Sequence, residues 1–439
     1  MVEALETTCL DSCFRNINRF RQAALRQAQG PLNDRKLMTL AILLGINYMN
    51  TRDDKFSRGM EEIPPSGIRK FFEMLIGHDD VISLSVGEPD FPTPWCMREE
   101  AFYHIEKGHT SYTGNRGLPE LRAEICKYME RYGCYYNPET EILVTVGASE
   151  GVDASLRAIL NPGDEILVCQ PCYVNYEPLA RLCGAKIIPI DTSVNGYYPT
   201  ADQIKKALSP KTKALMICTP NNPTGTMIPR KELEKIAKVC VENQIWCISD
   251  EIYCELAYEG AEHCSIASFP GMKDYAIVLN GFSKSFAMTG WRIGYIAAPA
   301  ELITLCTKLH GYNAICAPIF SQYAAAEGLR NGWKDVEKMR ISYQQRRNLM
   351  VKEFNEMGLP VPEPKGAFYM FPDITSTGIS SEEFATRLFQ KYNVAVVPGS
   401  VFGSGGEGHI RVCYATAVDK IKIAMERIKQ FVDELRESK

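Results

Sequence analysis

The residues best suited to chemistry fall in one stretch, Ser283-Lys284-Ser285-Phe286-Ala287-Met288-Thr289-Gly290-Trp291-Arg292-Ile293-Gly294-Tyr295, shortly after the apolar run Tyr275-Ala276-Ile277-Val278-Leu279. A lysine at the end of a buried strand can lose its proton and attack a carbonyl. Arg292, flanked by Gly290 and Gly294, and the hydroxyl of Ser283 suit a phosphate dianion. A lone lysine is most often a solvated surface charge. What gives Lys284 another meaning is the company it keeps at the ends of other strands.

Those strands are apolar runs separated by helical segments. Glu141–Gly147, Glu165–Val168, Ala185–Ile190, Ala214–Cys218, Ile245–Ser249 and Ala276–Leu279 read as strands, and 176–183, 201–208 and 230–243 as helices. Near-continuous apolar strands alternating with helices predict an α/β fold with a mostly parallel sheet covered on both faces. In such sheets a ligand sits beyond the carboxyl ends of the strands. After the strand at 141–147 come Ala148 and Ser149, opening a helix whose free N–H groups and dipole favour an anion. After the others come Tyr173, Asn222 within Asn222-Pro223-Thr224-Gly225, Asp250 and Tyr253, and Ser283 with Lys284. Each has a plainer alternative: a strand-end cap for Asp250, a turn for Asn222-Pro223, a core ring for Tyr173.

Together they fit an aldehyde that carries a phosphate, pyridoxal 5′-phosphate. Asp250 would keep its ring nitrogen protonated, Tyr253 and Asn222 would hydrogen-bond its phenolic oxygen, and Tyr173 would stack on its face. Arg411, in His409-Ile410-Arg411-Val412-Cys413-Tyr414, would clamp a substrate carboxylate; its plainer alternative is a structural ion pair.

The motifs Gly87-Glu88-Pro89-Asp90-Phe91, Tyr112-x-x-Gly-x-x-Gly-Leu-x-x-Leu-Arg122, Asn222-Pro223-Thr224-Gly225, Asp250-Glu251-Ile252-Tyr253, Ser283-Lys284-x-x-x-x-x-Gly290-x-Arg292-x-Gly294 and Arg411 resemble the class I aminotransferases, aspartate and aromatic types, of the fold type I pyridoxal-phosphate enzymes. The resemblance covers about residues 60 to 436. It implies an enzyme moving an amino group from an L-amino acid to a 2-oxo acid, 2-oxoglutarate the expected acceptor, by a ping-pong route. It assigns Lys284 to the covalent link with the cofactor and to proton transfer. Tyr112, Ala148, Ser149, Ser283 and Arg292 would bind phosphate, with Tyr112 donated by the partner subunit of a homodimer. Gly87, Asn222 and Arg411 would hold the substrate carboxylate. A β-lyase of the same cofactor class is the alternative; a transcriptional regulator is disfavoured, because residues 1–58 are short for a DNA-binding module. Acidic, aromatic and aliphatic donors all stay open.

The remaining composition is compatible. The chain has 439 residues, 45% apolar and 23% charged, with a net charge of −4 that gives no footprint for nucleic acid or an acidic membrane. Sixteen scattered cysteines fit free core thiols in the cytoplasm better than a disulfide framework, and the six histidines show no metal spacing. Residues 1–58, with Arg15, Arg19, Arg21 and Arg26 and the apolar run 38–46, stand apart. They are expected to be a disordered extension, a helical arm, a weak anchor or, preferably, sequence upstream of a start at Met49 or Met60. The run is too short to span a bilayer. A helix is expected over 67–75. The expected division is 59–95 as the first part of a small domain, 96–329 as the large cofactor domain and 330–439 as the rest of the small, α+β domain.

Overall fold

A computed structural model describes residues 56–65, 67 and 80–437. The expectations for residues 1–55 and nearly all of the helix at 67–75 lie outside the described residues. The chain divides after Glu62, and everything below belongs to the unit Ile63–Lys439.

Twelve strands are described. β1 (Ile82–Ser83) opens the unit. β2 (Ile142–Thr145), β3 (Glu165–Gln170), β4 (Lys186–Asp191), β5 (Thr212–Cys218), β6 (Trp246–Asp250), β7 (Ala276–Gly281) and β8 (Gly294–Ala297) form one seven-stranded sheet, in the order β2-β8-β7-β6-β5-β3-β4. All its pairings are parallel except the two made by β8, which runs antiparallel to β2 and β7. β3 and β7 are mostly apolar and buried along their whole length, as a sheet covered on both faces requires. β4 is one of the two edge strands; it exposes Lys186 and Asp191 and accommodates Pro189, which a central strand would not.

The mostly parallel sheet is as expected, and each predicted strand falls within a residue or two of its place. Four elements have no clear signal in the sequence. β8 is only four residues long. The helices Trp95–Glu106, Ala300–Asn313 and Ile319–Asn331 carry exposed apolar side chains, among them Trp95, Phe102, Tyr103, Leu305, Tyr312 and Phe320, so no single apolar stripe marks their inner face.

Beyond the large sheet, the long helix Trp333–Glu356 leads to β9 (Tyr369–Met370). The helix Ser381–Tyr392 follows, capped by the Ser380 hydroxyl accepting from the Glu383 N–H. β10 (Val394–Ala395) pairs in parallel with β1, tying residues 82–83 to this C-terminal part. β11 (Val397–Pro398), β12 (Ile410–Cys413) and β9 form an antiparallel sheet in the order β11-β12-β9, and the helix Val418–Glu437 closes the chain.

Candidate active site

The carboxyl ends of β2, β3, β5, β6 and β7 share one edge of the large sheet. β8, running the other way, starts at that edge: Gly294 pairs with Thr145 on one side and Gly281 on the other. The reversal explains how Arg292, just before a strand, reaches the residues just after the others. At this edge lies a cavity of about 610 Å³ lined by Gly87, Ala148, Ser149, Tyr173, Asn222, Asp250, Tyr253, Ser283, Lys284, Arg292 and Arg411. These are the sequence-predicted site residues with one exception. Tyr112 lies outside the lining and is 77% exposed on its loop.

Lys284 is half-buried, and its Nζ donates to the Gly87 carbonyl at 2.6 Å. No carboxylate ion-pairs with it among the described residues. Loss of solvent disfavours the ammonium and lowers its pKa to about 8, so about a tenth is the free amine at pH 7 and about half at pH 8. Asp250, the last residue of β6, accepts from the Tyr176 hydroxyl at 2.7 Å and from the Ile252 N–H at 3.2 Å. Burial raises its pKa, against those two hydrogen bonds. A cation brought to Asp250 would relieve that penalty, as a protonated ring nitrogen does.

Opposite lies a cradle for an anion. Gly147 caps the helix Ala148–Ile159 in a left-handed conformation (φ 77°). A side chain there would come within 2.6 Å of the Arg292 guanidinium. Only glycine lets the guanidinium and the helix N-terminus converge. Arg292 is itself left-handed (φ 53°), a conformation costing about 1 kcal/mol or more that collects at functional sites, and it donates to the Thr289 carbonyl at 2.8 Å.

Arg411 comes from β12. It is 2% exposed, donates to the Ser85 carbonyl at 2.5 Å and to Asn222 Oδ1 at 3.2 Å, and leaves Nε with no partner. The alternative of a structural ion pair fails: no carboxylate pairs with it among the described residues. A buried guanidinium without a counter-ion is costly unless an anion joins it. The cavity thus carries three cations, Lys284, Arg292 and Arg411, against Glu88 and Asp250. The donor set fits pyridoxal phosphate plus a substrate carboxylate.

Among the lining residues not picked out from the sequence, two bear on the site's polar groups. Tyr176 holds Asp250, and Tyr369 places its hydroxyl 3.1 Å from that of Tyr253. Tyr176 is three residues past Tyr173 in the same strand-end segment, so its position was a signal; Tyr369 lies far along the chain on β9, where nothing in the sequence pairs it with Tyr253. The C-x-x-C pair Cys169 and Cys172 is buried and free, all fourteen described cysteines are free, and no cluster able to hold a metal occurs among the described residues.

A strand-end lysine facing a phosphate cradle in a mostly parallel sheet defines a class of enzyme, and comparison with known proteins agrees. Residues 79–428 match the family described as aminotransferase class I and II. The chain is 48% identical over 375 residues to a putative aminotransferase, YugH, of Bacillus subtilis, covering 85% of this chain and 97% of that one. It is 46% identical over 379 residues to an aspartate aminotransferase of Pyrococcus abyssi, with the same coverage. A crystal structure of an aromatic aminotransferase from Pyrococcus horikoshii superposes with a TM-score of 0.80 at 44% identity, covering 84% of this chain and 99% of that one. The chain belongs to the class I and II aminotransferases and has their fold type I architecture. It is an aminotransferase, and its family implies pyridoxal phosphate as cofactor; the β-lyase alternative is not favoured.

Proposed function

We propose that the cavity holds pyridoxal 5′-phosphate on Lys284 and moves an amino group from an L-amino acid to a 2-oxo acid, 2-oxoglutarate being the acceptor to test first. The observation that carries this is the half-buried Lys284, without an ion-pair partner among the described residues, facing the Gly147–Ser149 cradle and Arg292. When bound, the cofactor supplies an electron sink for the substrate Cα. Arg411 and Asn222, with the Gly87 backbone, hold and orient the α-carboxylate. Tyr173 would cover one face of the ring, Ala148, Ser149, Ser283 and Arg292 would anchor the phosphate, Asp250 would keep the ring nitrogen protonated, and Asn222 and Tyr253 would hold the ring oxygen. Lys284, near its pKa at working pH, takes the Cα proton and returns it, as general acid–base catalysis requires.

We further propose the division expected from the sequence: an extension at 1–58, a large domain at 96–329, and a small domain built from 59–95 and 330–439. Parallel pairing of β1 with β10 supports joining the last two segments. A homodimer in the cytoplasm, with Tyr112 donated to the partner's phosphate site, completes the proposal. Its support is the exposed apolar surface around Tyr112: Asn115 and Arg116 of the same loop meet the helix Ala300–Asn313, whose Leu305 and Tyr312 are 48% and 86% exposed. Free cysteines throughout the described residues suit a reducing compartment, and no described helix is long and apolar enough to cross a membrane.

The test is a half-reaction. Cofactor-loaded protein given an amino acid without acceptor should release one equivalent of oxo acid and stop, resuming on addition of 2-oxoglutarate. Continued release without an acceptor would indicate a lyase. A panel of donors in the same assay identifies the substrate.

A further inference from the structure

We infer that Tyr369 is a positioning residue for the cofactor's ring oxygen, acting through Tyr253 as the outer member of a two-phenol relay. The inference rests on the proposed binding of pyridoxal phosphate at Lys284. Tyr369 lies on β9, in the part of the chain that also supplies Arg411, and is 1% exposed. Its hydroxyl is 3.1 Å from that of Tyr253, and it lies against Gly87 so closely that any side chain there would collide with it. Packing on Gly87 and on Phe368, whose ring it meets edge-on at 4.9 Å between centroids, fixes where the hydroxyl points.

The direction of the hydrogen bond follows from what surrounds it. The Arg411 guanidinium sits 4.7 Å from the centre of the Tyr369 ring. A cation over a phenol makes it the better donor. Tyr253 must spend its one hydroxyl proton on the ring oxygen to do the work assigned to it, so toward Tyr369 it can only accept. Hydrogen bonds in series strengthen one another. A Tyr253 hydroxyl that accepts from Tyr369 donates more strongly, which favours the ionised ring oxygen. The other titratable or charged groups at this point are Asp250, Lys284, Tyr173, Tyr176, Glu88, Arg292 and Cys218 around the cavity, with Arg411 above Tyr369 and Cys413 close to it. None occupies the place of the Tyr369 hydroxyl between Tyr253 and Gly87.

The test is a pH titration of the visible band of bound cofactor in wild type, Tyr369→Phe, Tyr253→Phe and the double variant, with cofactor affinity measured alongside. Tyr369→Phe keeps the ring over which Arg411 lies and removes one oxygen. Its apparent pKa should rise by roughly 0.1 to 0.6 pH unit, because the lost bond acts only by weakening the Tyr253 donation, by about 10–30% of a charge-assisted hydrogen bond. In the Tyr253→Phe background the same substitution should add nothing, because the relay is already cut. An equal shift in both backgrounds would place Tyr369 outside the relay. So would no shift, or a downward one, in the single variant, and this single-variant result decides the matter if Tyr253→Phe does not fold. If wild type takes up no cofactor, the proposal of Lys284 binding fails and the relay with it; normal uptake without a shift overturns the relay alone.

Discussion

Arg411 offers a prediction whose size can be worked from its surroundings. Its guanidinium is buried, two of its nitrogens are held by Ser85 and Asn222, and no carboxylate neutralises it. A substrate α-carboxylate would bring two charge-assisted hydrogen bonds, each contributing about 1.5–3 kcal/mol. Arg411→Lys keeps the charge but loses the planar fork and with it about one of those bonds, so kcat/KM should fall roughly 10- to 100-fold. Arg411→Met loses both, about 3–6 kcal/mol, and kcat/KM should fall on the order of 10²- to 10⁴-fold. The assay is the half-reaction with the best amino acid donor and with the amine that remains when that donor loses its carboxyl group. Only the amino acid should suffer; the amine, which has no carboxylate to place, should react in the variants about as slowly as in wild type. Thermal unfolding without substrate supplies the second readout. Removing an uncompensated buried charge should leave the melting temperature of the Arg411→Met protein unchanged or raised. Equal losses on donor and amine, or a melting temperature lowered by many degrees, would make Arg411 a structural residue and refute the clamp.

Three other perturbations follow from the same site. Asp250→Asn should slow transamination strongly, on the order of several kcal/mol of barrier, since electrostatic tuning is usually a large catalytic term; near-normal turnover in a folded variant would remove Asp250 from the site. Lys284, at about pKa 8 when folded against 10.5 as its ordinary value, binds fewer protons folded than unfolded between those limits, so the stability of the cofactor-free protein should rise with pH across that window. Below pH 8 the full penalty, about 3 kcal/mol, applies, and Lys284→Met should remove both it and the slope in denaturant titrations at pH 7 and 10. Mixed dimers refolded from Lys284→Ala and Tyr112→Ala chains should regain activity above the sum of the two if Tyr112 acts in the partner's site, since one site then carries neither defect; mixed dimers confirmed by mass without recovery would refute it.

Much of the site was legible because the fold puts it at strand ends, and strand ends are where apolar runs stop. Lys284, Asp250 and Asn222 could be grouped from that rule alone, without knowing the strand order. Arg292 belonged to the group by motif, but the reason it reaches the others is the antiparallel β8, which was too short to read. Arg411 was legible as a residue type on a late strand; its lack of a carboxylate partner, which separates a clamp from an ion pair, needed three-dimensional packing. Tyr369 needed it more, because its hydroxyl meets Tyr253 across a gap of over a hundred residues. The helix beside the Tyr112 loop was obscured by the exposed apolar residues Leu305 and Tyr312, which mark the proposed partner surface and blur the contrast between its inner and outer faces.

The central claim is that Lys284 carries the cofactor. Purified protein loaded with pyridoxal phosphate should absorb in the visible range. Reduction with borohydride, digestion and peptide mass analysis should find the cofactor on the peptide containing Lys284 and on no other, with the visible band abolished in Lys284→Ala. Cofactor fixed to a different lysine, or a protein that stays colourless after loading, would contradict it.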